Sequence, residues 1–129
     1  MELLPEGKKN NIQVTLEDQK KINEFSKLIL RKDSLEVELA KERQEKEYLD
    51  DVSLELELFD EEEKVQYKIG DVFVYLKQGK VLEQIEKDTE IIDSKIDNLE
   101  ERQNEIDSKL KELKTQLYAK FGDNINLER

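Results

Sequence analysis

The chain has 129 residues, 43% of them charged and only 36% hydrophobic, which is one domain's length but too little apolar material for a compact globule. Its 33 acidic residues outnumber 22 basic ones, giving a formal charge of −11, and such a surface repels a phosphate backbone unless its cations cluster. Lys8-Lys9 and Lys20-Lys21 are short pairs with carboxylates nearby, which solvate a face and do not make a nucleic-acid site.

In chain order, residues 1–14 read as a flexible N-terminal tail. The first helical pattern opens at Thr15, whose hydroxyl faces the free amide three residues on, with Asp18 placed to reach back as the acid of a capping box and Glu17 favourable to the positive end of the helix dipole. No Gly or Pro interrupts the span 15–51. Leu28, Leu35 and Leu49 share one heptad position, Phe25 and Leu39 the other, and Ile22 and Ile29 widen the stripe. Lys32, Glu42 and Lys46 also fall on core positions, so the seam is imperfect.

The next stretch, 52–76, alternates apolar and polar with a period of two. Val52, Leu54, Leu56 and Leu58 would face one side of a strand and Ser53, Glu55 and Glu57 the other. The acidic run Asp60 to Lys64 reads as a turn, and Val65, Tyr67, Ile69, Val72 and Val74 as the returning strand, with Gly70-Asp71 allowing a bulge or kink in it. The reading is one β-hairpin.

A second helical pattern covers 78–121. With Leu82 at position a and Ile85 at d, the seam continues through Thr89, Ile92, Ile96, Leu99, Gln103, Ile106, Leu110, Leu113 and Leu117. Gly122 follows as a C-cap, and 122–129 is a tail carrying Ile125 and Leu127.

The fold class that follows is mostly α: a long antiparallel coiled coil of two helices joined by a single β-hairpin. A lone two-stranded hairpin is marginal in water and leaves its edges unpaired. Closing several hairpins into an oligomeric β-barrel would bury the apolar face and remove the edges. Val52, Leu54, Leu56, Leu58, Tyr67, Ile69, Val72 and Val74 are the assembly residues in this reading.

Helix, hairpin and helix in an acidic chain resemble a β-type subunit of prefoldin, most specifically in EYLDDVSLELEL, YKIGDVFVYLKQ and LYAKFGDNINLER. The likeness spans nearly the whole chain as a single prefoldin-like domain. It implies a hetero-hexamer of two α-type and four β-type subunits with a double β-barrel body and six coiled coils. It also implies an ATP-independent co-chaperone that holds unfolded proteins, actin and tubulin above all, and passes them to the cytosolic group II chaperonin. In that family clients are gripped at the distal tips of the coiled coils. Here those are both ends of the chain, where Ile22, Phe25, Ile29, Leu117, Tyr118, Phe121, Ile125 and Leu127 are the candidate client contacts. Leu28 and Leu117 lie on heptad positions, so seam packing is their first explanation.

Catalysis has little to draw on. The chain lacks Cys and His, which removes the thiol nucleophile, thiolate metal sites and the usual general base at neutral pH. Gly7, Gly70, Gly79 and Gly122 are too scattered to cradle a phosphate, and neither Asp50-Asp51 nor Asp60 to Glu63 has the spacing of a calcium loop. No enzyme activity, cofactor or metal is expected. No apolar run approaches the roughly 20 residues that span a bilayer, and the opening MELLPEGKKNNIQV does not read as a signal peptide. The expectation is a cytoplasmic protein without membrane or nucleic-acid partners. An alternative is a structural coiled-coil adaptor whose tips dock one folded partner.

Overall fold

The computed structural model describes residues 2–3, 13–69 and 71–127. Two long helices dominate it, α1 (Leu16–Leu56) and α2 (Gln78–Phe121), joined by the strands β2 (Lys64–Ile69) and β3 (Val72–Lys77). Short strands β1 (Glu2–Leu3) and β4 (Ile125–Asn126) pair with each other, and a 3-10 turn at Gly122–Asn124 connects α2 to β4. The chain divides into two compact units, one of Met1–Val37 with Glu101–Arg129 and one of Glu38–Glu100.

In the first unit α1 and α2 run antiparallel, with Lys32 bonded to Asp107 at 2.8 Å and Gln103 donating to Glu36 at 3.5 Å. Phe25, Leu28 and Leu35 on α1 are buried with Ile106, Leu110, Leu113 and Leu117 on α2. In the second unit Arg43 pairs with Glu100 at 2.9 Å and Lys46 with Asp93 at 2.6 Å, again antiparallel. Lys32 and Lys46 are two of the polar residues on core positions of the α1 seam, and each meets a carboxylate of α2. The imperfection in the apolar stripe is thus filled by cross-helix ion pairs, and the neighbouring Asp93 raises the Lys46 pKa by hydrogen bonding and by its charge. On α2 the d series Ile85, Ile92, Leu99, Ile106 and Leu113 is buried throughout, whereas at a Leu82, Thr89, Ile96 and Gln103 are half-buried and burial begins at Leu110 and Leu117. Between Leu82 and Gln103 the requirement for apolar side chains therefore falls on d, which is why the seam tolerates Thr89 and Gln103 at a.

The hairpin differs from the sequence expectation. Val52, Leu54 and Leu56 belong to the last turns of α1, and Leu58 lies in the following loop. Both strands of the hairpin come from the stretch read as one, with Ile69 opposite Val72 and a two-residue connection at 70–71. Two physical facts account for this. Leu56 stands seven residues after Leu49 and so prolongs the α1 heptad, where it is buried against α2. A Gly-Asp pair between alternating segments suits a two-residue turn better than a kink; Gly70 itself lies outside the described residues.

The core of the second unit is Leu49 and Leu56 from α1 with Val81, Ile85 and Ile92 from α2, and Val65, Tyr67 and Leu76 of the hairpin pack against it. The end of α1 is closed by a long-range contact: the Gln78 side-chain amide, itself buried, donates to the Leu56 carbonyl at 2.9 Å. That carbonyl is one of the acceptors a helix C-terminus leaves unpaired. The Gln78 backbone amide also donates to Glu63 at 2.8 Å, tying the loop to the first residue of α2.

Candidate functional site

The first candidate surface is the end of the first unit where α1 begins and α2 stops. The capping box is formed, with the Asp18 amide donating to Thr15 Oγ1 at 3.1 Å and the Thr15 amide to Asp18 Oδ2 at 3.0 Å. Asp18 is also buried and bonded by the Lys120 ammonium, so the start of α1 is pinned to the end of α2. Lys120 and the Thr15 amide hold the Asp18 carboxyl down from its ordinary value of 3.8 to about 2. A depressed carboxylate stabilises the fold above its unfolded pKa, and that contribution disappears as pH falls through its folded one. Acid titration of the intact chain is therefore expected to show a loss of stability between pH 4 and 2 that Asp18→Asn abolishes, followed by helical circular dichroism in urea at each pH.

Beyond Phe121 the chain turns back. Gly122 has φ +54, the left-handed conformation that a residue without Cβ adopts freely. The segment after it lays Ile125 and Leu127 against the helices, where they are 5% and 2% exposed, and the Leu127 amide donates to the Tyr118 hydroxyl at 3.1 Å. Phe25, Leu117 and Phe121 are buried at the same end, while Ile22, Ile29 and Tyr118 are half-buried. All eight candidate client contacts thus lie in the first unit. Exposure is where the sequence reading needs correcting: the wide apolar stripe is covered by the chain's own C-terminal tail, which is docked, not free. The sequence carried the reason. Ile125 and Leu127 alternate with polar residues, the pattern of a short strand with one face inward. Beside them lies a groove of about 690 Å³ lined by Phe25, Ile29, Lys32, Leu110, Lys114 and Leu127 among others.

The second candidate surface is the hairpin. Alternation along β3 turns Val74 and Leu76 toward the core, both half-buried, and leaves Phe73 and Tyr75 61% and 71% exposed on the other face. Val72, Leu54 and Leu58 are also exposed. Tyr67 is held by its hydroxyl, which donates to Asp88 Oδ2 at 2.9 Å; Gln84 donates to the other carboxylate oxygen at 2.9 Å. Burial and then the bond to Asp88 raise the Tyr67 pKa well above the usual phenol range. Of the assembly residues inferred from sequence, Tyr67, Ile69, Val72 and Val74 are on the hairpin; Val52 and Leu56 face inward on α1, and Leu54 and Leu58 stand exposed next to it. Phe73 and Tyr75 were missed because the reading followed Val72 and Val74 alone along this strand. The aromatic pair at alternate positions was the signal that would have found them.

The family model described as Prefoldin subunit matches residues 19–124. The chain belongs to the prefoldin subunit family. Its relatives include prefoldin subunit 4 of Saccharomyces cerevisiae, 67% identical over 129 residues and covering 100% of both chains. Prefoldin subunit 4 of Homo sapiens is 39% identical over 119 residues, covering 92% of this chain and 89% of that one. The crystal structure of the prefoldin beta subunit from Thermococcus strain KS-1 superposes with a TM-score of 0.75 over 85% of this chain and 96% of that one, at 16% identity. Two long helices joined by a hairpin are therefore the fold of the prefoldin β-type subunit. As a prefoldin subunit, the chain is a component of a chaperone that assembles with other prefoldin subunits.

Proposed function

We propose that this prefoldin chain is a β-type subunit of a cytoplasmic hetero-hexamer of two α-type and four β-type subunits. The hexamer acts as an ATP-independent holdase without catalytic activity of its own. It binds unfolded actin and tubulin at the tips of its coiled coils and transfers them to the cytosolic group II chaperonin. The observation that carries the assembly half is the hairpin. Among the described residues β2 and β3 pair only with each other, and Phe73 and Tyr75 are exposed on the face of β3 away from the core. A sheet of that size with an open apolar face and two free edges gains most by joining other sheets, as in a closed barrel.

The holding half rests on the end of the first unit, where Ile22 and Ile29 stay half-buried on α1 beside the groove of Phe25 and Leu127. Partly covered apolar groups on a highly charged helix pair suit weak and adaptable contact with non-native chains. The test is a hexamer reconstituted with Ile22→Ser and Ile29→Ser in this subunit, challenged with unfolded actin. Assembly should be unchanged and suppression of actin aggregation severalfold weaker. Undiminished protection would remove these residues from the site. Saturable binding to one folded protein, with no protection of denatured chains, would establish the adaptor instead.

A further inference from the structure

The first unit holds an extended segment of the chain itself where a client is proposed to bind. Glu2–Leu3 lies antiparallel to Ile125–Asn126, with Glu2 opposite Asn126 and Leu3 opposite Ile125. β4 is positioned firmly: Gly122 turns the chain back, Ile125 and Leu127 are buried on either side of the exposed Asn126, and Tyr118 takes the Leu127 amide. Among the described residues its partner is held by two residue pairs, an amount of pairing that does not persist unaided in water. The residues paired there are Glu2 and Leu3.

We propose that β4 is a template for β-strand addition, and that the ligand it takes is an extended apolar segment of a non-native polypeptide, which displaces the chain's own Glu2–Leu3. The occupant is argued from the seat: an extended segment, Glu2–Leu3, is already paired there, and the groove of Phe25, Ile29 and Leu110 reaches Leu127, directly after β4, where side chains can enter. Backbone pairing with a template strand supplies affinity without a sequence requirement, while alternate side chains enter neighbouring pockets. The N-terminal strand is then a competitor in cis. It covers the template when no client is present and lowers the apparent affinity by the fraction of time it is in place. This inference deepens the proposed client binding and rests on it.

The chain contains no cysteine, so a disulfide can be placed uniquely in this subunit. Facing residues of an antiparallel pair have Cα atoms roughly 4.5–5.5 Å apart, within reach of a disulfide. Glu2→Cys with Asn126→Cys would lock β1 on β4 when oxidised and release it when reduced. The complex is reconstituted with this double variant. The probe is reduced, carboxymethylated α-lactalbumin, permanently unfolded and thiol-free, which carries a photocrosslinker. The readout is the amount of probe crosslinked to this subunit.

Reduced complex should crosslink as the unmodified complex does and oxidised complex about tenfold less. Deletion of residues 1–4 should raise crosslinking severalfold at subsaturating probe. Equal crosslinking in the oxidised and reduced states, with the unmodified complex binding normally, overturns strand exchange and leaves client holding standing. No crosslinking by the unmodified complex at any probe concentration removes client holding, and the exchange with it.

Discussion

Phe121→Ala is expected to lower the stability of the first unit by about 3–5 kcal/mol, the usual cost of truncating a fully buried phenylalanine. Phe121 is 1% exposed and is the last residue of α2, directly before the turn at Gly122. Its loss leaves a cavity where three features meet: the end of the Leu113 and Leu117 seam, the docked tail with Ile125 and Leu127, and the Asp18 and Lys120 pair that fastens the start of α1. Urea denaturation followed by circular dichroism should report the loss. Amide exchange should localise it, with residues 15–29 and 113–127 losing protection and residues 38–100 keeping theirs. Leu16→Ala, at a residue 74% exposed, is the control and should change little. If Phe121→Ala is neutral, the tail is not packed as described.

Val81→Asp is expected to be as severe in the second unit. Val81 is 0% exposed, in a core with Leu49, Leu56, Ile85 and Ile92 against which Val65 and Leu76 of the hairpin rest. An uncompensated buried charge costs on the order of 3–5 kcal/mol, so the seat of the hairpin should be lost and the chain should fail to assemble with other prefoldin subunits. Loss of assembly alone would not separate folding from barrel formation. Tyr75→Asp does. Tyr75 is 71% exposed on the face of β3 away from the core, so a charge there should leave the helical circular dichroism and melting of the isolated chain unchanged while still blocking the complex. A Tyr75→Asp chain that assembles normally would remove that face of the hairpin from the interface.

The helical part of this fold was legible because heptads over-determine it. The d positions from Ile85 to Leu113 are all apolar and all buried, and the capping box at Thr15 and Asp18 announced where α1 begins. The boundary between helix and hairpin was not legible because 52–58 satisfies two periods at once. Leu54, Leu56 and Leu58 alternate as in a strand, yet Leu49 and Leu56 are a heptad apart, and burial against Val81 and Ile85 decides for the helix. The apolar residues at the chain ends stood out in the sequence as a group, but their mutual burial was not visible. Burial depends on the tail reversing at Gly122, which brings Leu127 back beside Phe25 and Ile29 at the far end of the sequence.

β3 ends at Lys77 and α2 begins at Gln78, with no linker between them. On the other side, α1 reaches β2 through the loop 57–63. The two helices are therefore coupled unequally to the sheet. Rotation of the β3 backbone is passed directly into the first turn of α2, stiffened there by the bond from the Gln78 amide to Glu63, whereas the loop absorbs the same rotation before α1 feels it. Mechanically, the hairpin is a crank fixed to one shaft: whatever holds β3 from outside turns the start of α2 first, and α1 follows through the Gln78 bond to the Leu56 carbonyl and the side chains packed between the helices.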